Sequence, residues 1–170
     1  WKDNPSLEFE DNWENYLIGD KAITSIVLAE PISGDKIFLG TNGNGIAHYD
    51  PEFGRIFPTQ MYTQTSTIYI YDMVNNNNEV YAASNLGLLS FLYVNWELSD
   101  DTYEETTALD MDRDGRMWVG TRFDGLKCYT DSGYVDIPPL NHMKSEAFYD
   151  LDIDRNGEIG RASCRERVCH

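Results

Sequence analysis

The sequence predicts an all-β fold, a partial β-propeller of about three four-stranded antiparallel blades plus a stub of a fourth. Three observations lead there. A motif recurs from Ile37, Val80 and Met117, at offsets of 43 and 37 residues, and a strand-built repeat of about 40 residues is the period of propeller blades. Short runs rich in Val, Ile, Tyr and Phe have the alternation of strands, and no stretch shows the i, i+3, i+4 apolar spacing of a helix. Glycines and acidic or amide residues separate these runs, where tight turns are needed.

In chain order, residues 1–22 read as the end of a preceding blade or a lead-in. A first blade, 23–66, carries IFLGTNGNGIAHYD (Ile37 to Asp50); a second, 67–105, carries VYAASNLGLLSFLY (Val80 to Tyr93); a third, 106–146, carries MWVGTRFDGLKCYT (Met117 to Thr130). Residues 147–157, AFYDLDIDRNG, repeat the form of TALDMDRDG (Thr107 to Gly115) and start the next blade. Each full copy places an aromatic after its first apolar residue: Phe38, Tyr81 and Trp118. A small pair follows, as Gly40-Thr41, Ala83-Ser84 and Gly120-Thr121, then a glycine at Gly45, Gly87 and Gly125. An aliphatic residue comes next, Ile46, Leu88 or Leu126, and four residues past the glycine stands another aromatic, Tyr49, Phe91 or Tyr129.

Elementary physics accounts for these choices. Both faces of a propeller blade are covered by neighbours, so alternate side chains can both be apolar, and the first aromatic is expected to fill the space between blades. The glycine suits a turn at positive φ, and the Thr or Ser can tie down turn backbone.

Residues 158–170, EIGRASCRERVCH, break the pattern. They lack alternation, hold three Arg in seven residues and contain two of the three Cys. They closely resemble the in-frame translation of a common sequencing-adaptor oligonucleotide, and are set aside from the fold as a non-native tail. Two acids and three arginines go with them, which moves the net charge from -16 to -17. Of the cysteines only Cys128 then remains; it has no disulfide partner and reads as a small packed side chain. The acidic surface repels phosphate backbones, which excludes nucleic acid as a partner. No run approaches the roughly 18 apolar residues of a membrane span, so no membrane contact is expected of this segment.

The stretch Asp112-Arg113-Asp114-Gly115-Arg116-Met117-Trp118-Val119-Gly120-Thr121, followed by Gly125-Leu126 and Tyr129, resembles the two-component regulator propeller repeat, D-x-x-G-x-[LIM]-W-[VI]-G-T-x-x-x-G-[LI]-x-x-[YF]. The unit from Ile37 has Phe38 for Trp; the unit from Val80 has Ala83-Ser84 for Gly-Thr and Asn75 to Asn78 for the acidic turn. Lead-ins NWENYLIGDKAITSI and NWELSDDTYEETTAL are also similar to that family's, so the resemblance covers residues 12–157. It implies a seven-bladed type of propeller in a periplasmic or extracellular sensor region of a hybrid histidine kinase. It further implies an oligosaccharide or other small extracellular ligand, and the remaining blades of the same parent chain as partners. No kinase motif lies in the sequence, so the segment is expected to bind rather than catalyse. Competing expectations are a secretion-associated propeller that docks another protein, and a propeller lyase or glycosidase.

Three readings compete for the best-matched copy. Asp110, Asp112, Asp114 and Gly115 fit positions 1, 3, 5 and 6 of an EF-hand loop, but Thr121 stands where the bidentate Glu belongs and the flanks read as strands. Turn chemistry explains the same residues without calcium. Gly40 to Gly45 and Gly120 to Gly125 have the spacing of a phosphate loop but lack the Lys and Ser/Thr that must follow. His48 lies in a strand pattern and His142 in a loop, and no GxSxG elbow is present. The sequence therefore predicts no catalytic residue, no cofactor and no metal, with Asp110, Asp112 and Asp114 as the calcium candidates.

Overall fold

The computed structural model describes residues 22–30, 36–58, 67–92, 95–99, 104–130, 132–135 and 147–163. All secondary structure among them is β. The first blade is β1 (Ile23–Ala29), β2 (Lys36–Gly43), β3 (Ile46–Asp50) and β4 (Arg55–Pro58), each antiparallel to the next. The second is β5 (Ile68–Asn76), β6 (Glu79–Ser84), β7 (Gly87–Leu92) and β8 (Asn95–Leu98). The third is β9 (Thr106–Met111), β10 (Met117–Thr121), β11 (Leu126–Thr130) and β12 (Gly133–Val135). A hairpin of β13 (Phe148–Ile153) and β14 (Ile159–Ser163) begins a fourth. The first two blades also join through a short ladder that sets Asn42 opposite Tyr69 and Gly43 opposite Ile68. The chain is thus a partial β-propeller.

β14 extends the hairpin into the segment set aside as non-native: Ile159 pairs with Ile153, and the ladder runs to Ser163 opposite Phe148. A ladder is made by main-chain groups, so it asks little of the side chains it recruits. Residues 164–170 lie outside the described residues.

No blade has a core of its own. Each apolar cluster straddles two blades. Ala29, Phe38 and Ile46 of the first blade pack with Ile70, Phe91 and Trp96 of the second. Ala83 and Leu88 of the second meet Leu109, Met117 and Val119 of the third. Trp118, Leu126 and Cys128 of the third meet Phe148 and Leu151 of the hairpin. Phe38, Tyr81 and Trp118 hold corresponding places on the side facing the next blade. Phe91 and Tyr129 project the other way and receive them: the Phe38 and Phe91 rings are 4.9 Å apart, and those of Tyr81 and Tyr129 6.1 Å. Burying one such aromatic is worth about 1.5–3 kcal/mol, so the stack of sheets is the main source of stability.

The Thr/Ser of the small pair closes the turn after the second strand of each blade. Thr41 Oγ1 donates to Gly45 O (2.7 Å), Ser84 Oγ to Gly87 O (2.7 Å) and Thr121 Oγ1 to Gly125 O (2.9 Å). The same oxygens accept from the turn N–H groups of Asn44, Leu86 and Asp124. The two stretches with phosphate-loop spacing are therefore hairpins between strands.

One feature of β1, β5, β9 and β13, the first and innermost strand of each blade and of the hairpin, was not expected. Each skips a residue where it crosses the small pair: between Ile23 and Ser25, Ile70 and Asp72, Thr106 and Ala108, and Phe148 and Asp150. The skipped residues are Thr24, Tyr71, Thr107 and Tyr149. A bulge of this kind bends the strand and re-aims a side chain.

Gly40 and Gly120, the glycines next to two of the bulges, are small because the next blade presses on them. A Cβ on Gly120 would lie 2.8 Å from Phe148 Cβ and 3.3 Å from Ala108 Cβ; one on Gly40 would lie 2.6 Å from Ile70 Cγ2. Gly120→Ala is expected to destabilise the chain by about 1–3 kcal/mol. Gly40→Ala should cost a similar amount, because the opposing Cγ2 belongs to the β-branched, fully buried Ile70, whose χ1 has little freedom. Urea unfolding of the two variants beside wild type checks both losses.

Candidate functional site

The bulges aim side chains across the blade boundaries. Thr24 Oγ1 donates to Ile70 O at 2.6 Å, and Thr107 Oγ1 donates to Phe148 O. Tyr71 OH donates to Glu105 Oε1 at 2.6 Å. An aspartate follows Tyr71 and Tyr149, and its Oδ1 accepts from the next N–H: Met73 N to Asp72 (2.8 Å) and Leu151 N to Asp150 (3.0 Å). The other oxygen of Asp72 accepts from Leu109 N of the third blade at 3.0 Å. Asp110 does the same one blade on, accepting from Met111 N (2.7 Å) and from Ile153 N of the hairpin (2.5 Å). Inner-strand carboxylates thus latch one blade to the main chain of the next. Burial raises the pKa of Asp72 against the pull of its two N–H donors, and nearby Asp150 and Asp110 add to the rise.

At the end of the blades where the inner strands begin, three blades contribute to one group. Glu105 Oε1 also accepts from Arg122 Nη1 at 2.6 Å. The Arg122 guanidinium lies 5.9 Å from the Phe123 ring centroid, and its pKa is raised first by Glu105 and also by Tyr149 and Tyr71. Phe123 is 68% exposed, Tyr149 48% and Tyr69 38%. The result is a guanidinium pinned on one side by Glu105, beside the exposed Phe123 ring and within electrostatic reach of Tyr149. Aromatic faces of this kind stack on apolar ring faces, and the free guanidinium nitrogens donate hydrogen bonds.

At the opposite end lie the turns between first and second strands. Asp112 Oδ1 accepts from Asp114 N (3.0 Å) and Arg116 N (2.9 Å), with Gly115 at φ 77°. Asp154 repeats this with Asn156 N (2.7 Å) and Glu158 N (2.8 Å), with Gly157 at φ 79°. Asp112 Oδ2 takes Arg116 Nε (2.7 Å) and Trp118 Nε1 (2.9 Å), and Asp114 takes Arg116 Nη2 (3.1 Å). An open cleft between the two turns is lined by Arg113, Arg116, Trp118 and Arg155. The three calcium candidates are therefore divided among separate tasks: Asp110 at a blade boundary, Asp112 in the turn, Asp114 on a guanidinium. Among the described residues no three His, Cys, Asp or Glu side chains gather as metal ligands would.

His48 stacks on Phe57 (5.5 Å between centroids), and its Nδ1 is buried without a hydrogen-bond partner among the described residues. Burial, then Lys36, pushes its pKa down, with Asp50 opposing. Cys128 is buried, and burial raises its thiol pKa. His142 lies outside the described residues. Sequence reasoning missed Tyr71, Glu105, Arg122, Phe123 and Tyr149. A signal was there: the Tyr-Asp pair of IYIYDM returns in AFYDLD.

No protein-family model and no curated protein matches the chain. Solved structures do resemble it. One is described as the extracellular domain of the hybrid two component system BT3049 from B. thetaiotaomicron, at TM-score 0.63 and 22% identity over 87% of this chain and 21% of that one. Another is the extracellular domain of BT4673 from the same organism, at TM-score 0.63 and 17% identity over 84% of this chain and 20% of that one. Virginiamycin B lyase from Staphylococcus aureus is similar at TM-score 0.55 and 12% identity over 91% of this chain and 58% of that one. The chain spans about a fifth of the two extracellular domains. Likeness at these identities shows the propeller fold, and it agrees with the resemblance carried by the Asp112 to Tyr129 repeat.

Burial, then the hydrogen bond to Glu105, raises the Tyr71 pKa to about 12 from its ordinary 10.0. The folded phenol keeps its proton where the unfolded one has lost it, so this contribution to stability falls as pH rises from about 10 to about 12. Tyr71→Phe should be less stable than wild type by about 1 kcal/mol near pH 8. The gap should narrow near pH 11, as read from urea unfolding at the two pH values.

Proposed function

We propose that the chain is part of an extracytoplasmic ligand-sensing propeller of a two-component signalling protein. Its ligand is a carbohydrate or another small extracellular molecule, and its role is binding rather than catalysis. The observation that carries this reading is the group at the inner-strand starts. Tyr69 and Tyr71 come from the second blade, Arg122 and Phe123 from the third, and Tyr149 from the hairpin. A ligand seated there touches three blades at once. A site that spans blade boundaries can prefer one arrangement of blades over another, and that differential affinity is what a sensor needs. The fold shared with extracellular domains of two-component systems supports the same reading. Kinase activity belongs to no residue of this segment.

A panel of neutral and acidic oligosaccharides titrated into the full chain by calorimetry tests the proposal. A binder is expected whose affinity drops about tenfold or more, a loss of about 1.4 kcal/mol, in Tyr149→Ala, Phe123→Ala and Arg122→Ala, with the β circular dichroism unchanged. A panel with no binder, or a binder indifferent to all three variants, overturns it.

A further inference from the structure

The turn between the first two strands of the third blade and the turn of the hairpin are built alike. In the third blade Asp112 N donates to Arg116 O and Gly115 N to Asp112 O; in the hairpin Asp154 N donates to Glu158 O and Gly157 N to Asp154 O. The aspartate side chains accept from Asp114 N and Arg116 N in one turn, and from Asn156 N and Glu158 N in the other. None of these bonds uses the residue after the aspartate, so turn chemistry leaves that position open to any side chain. Both copies fill it with arginine, as Arg113 and Arg155.

These two arginines line one cleft of about 450 Å³, together with Arg116 and Trp118. Both are exposed, and neither forms an ion pair among the described residues, whereas Lys36, Arg116, Arg122 and Lys127 all do. The acids that line the cleft, Asp112 and Asp114, are engaged by Arg116, and Asp112 also by Trp118 Nε1. Asp154 is held below the usual carboxylate range by the N–H groups of Glu158 and Asn156, and lastly by Arg113. The lining thus sets three guanidinium groups against two carboxylates, in a chain whose net charge is -16. At the same place the second blade has Asn75 to Asn78, without a cation. A guanidinium fork matches the paired oxygens of a carboxylate, sulfate or phosphate. The acidic chain opposes a long polyanion, whereas a small one meets mainly the charges within a Debye length of about 8 Å.

We infer that the cleft between the Asp112 and Asp154 turns binds the oxyanion group of a small ligand, with Arg113 and Arg155 as its donors. The site bridges the third blade and the hairpin. It lies at the opposite end from the Arg122 group and stands whether or not a ligand binds there.

Sodium sulfate, sodium phosphate and sodium glucuronate are titrated into the full chain, with ionic strength held constant by sodium chloride. The Gly115 and Gly157 amide resonances, one in each turn, report binding. Saturable shifts of both are expected with at least one probe. Arg113→Gln and Arg155→Gln should each weaken that binding about tenfold, as loss of a charge-assisted hydrogen bond does. Arg55→Gln removes the same charge from exposed β4 and should leave the affinity unchanged, as should Arg122→Ala, which separates this site from the ligand group proposed above. Inorganic ions that bind as tightly as glucuronate support the site as one for a free oxyanion; tighter binding of glucuronate supports it as one for an acidic sugar. Shifts that stay linear with all three probes overturn the proposal, and so does an equal loss of affinity in Arg55→Gln.

Discussion

Burial between sheets, and not within any one of them, is the constraint on which this molecule rests. A single four-stranded sheet has two faces and nothing to hide either of them. Here the facing surfaces of successive sheets close on each other, and all three apolar clusters straddle a boundary. Stability in such an array is a sum of nearest-neighbour terms. That explains why the same side chains recur: an aromatic aimed forward, another aimed backward to meet it, and a residue small enough to let the following strand approach.

The bulge converts this packing into a usable surface. By skipping one residue in each inner strand, the fold takes Thr24, Tyr71, Thr107 and Tyr149 out of the alternating register. Two of the four are hydroxyl side chains that tie the next blade by its carbonyl. The other two are tyrosines, one hydrogen-bonded to Glu105 and one largely open. The candidate ligand group exists only where successive blades bring these residues side by side, so binding there and blade stacking share the same contacts.

The repeat itself was legible because its residue types are dictated by local rules. Glycine at positive φ, a hydroxyl closing a turn and an acid or amide capping another leave the same spacing in every copy. The division of Asp110, Asp112 and Asp114 among three tasks arises because Asp110 lies in β9 while Asp112 and Asp114 lie in the turn that follows it. The bulge was not legible, since Thr and Tyr fit an unbroken strand as well as a skipped position. Arg122 and Glu105 sit in different turns, and only the stacking of blades brings them together. The pairing of β14 had no signature either, because main chain supplies it.

The central claim is that the two boundaries between full blades are one contact repeated, with its aromatic pair at the middle. Double-mutant cycles on Phe38 with Phe91 and on Tyr81 with Tyr129, each residue changed to Leu, measure it directly by urea unfolding. Coupling of about 0.5–1.5 kcal/mol in both cycles is predicted. Coupling near zero in either cycle would contradict the account.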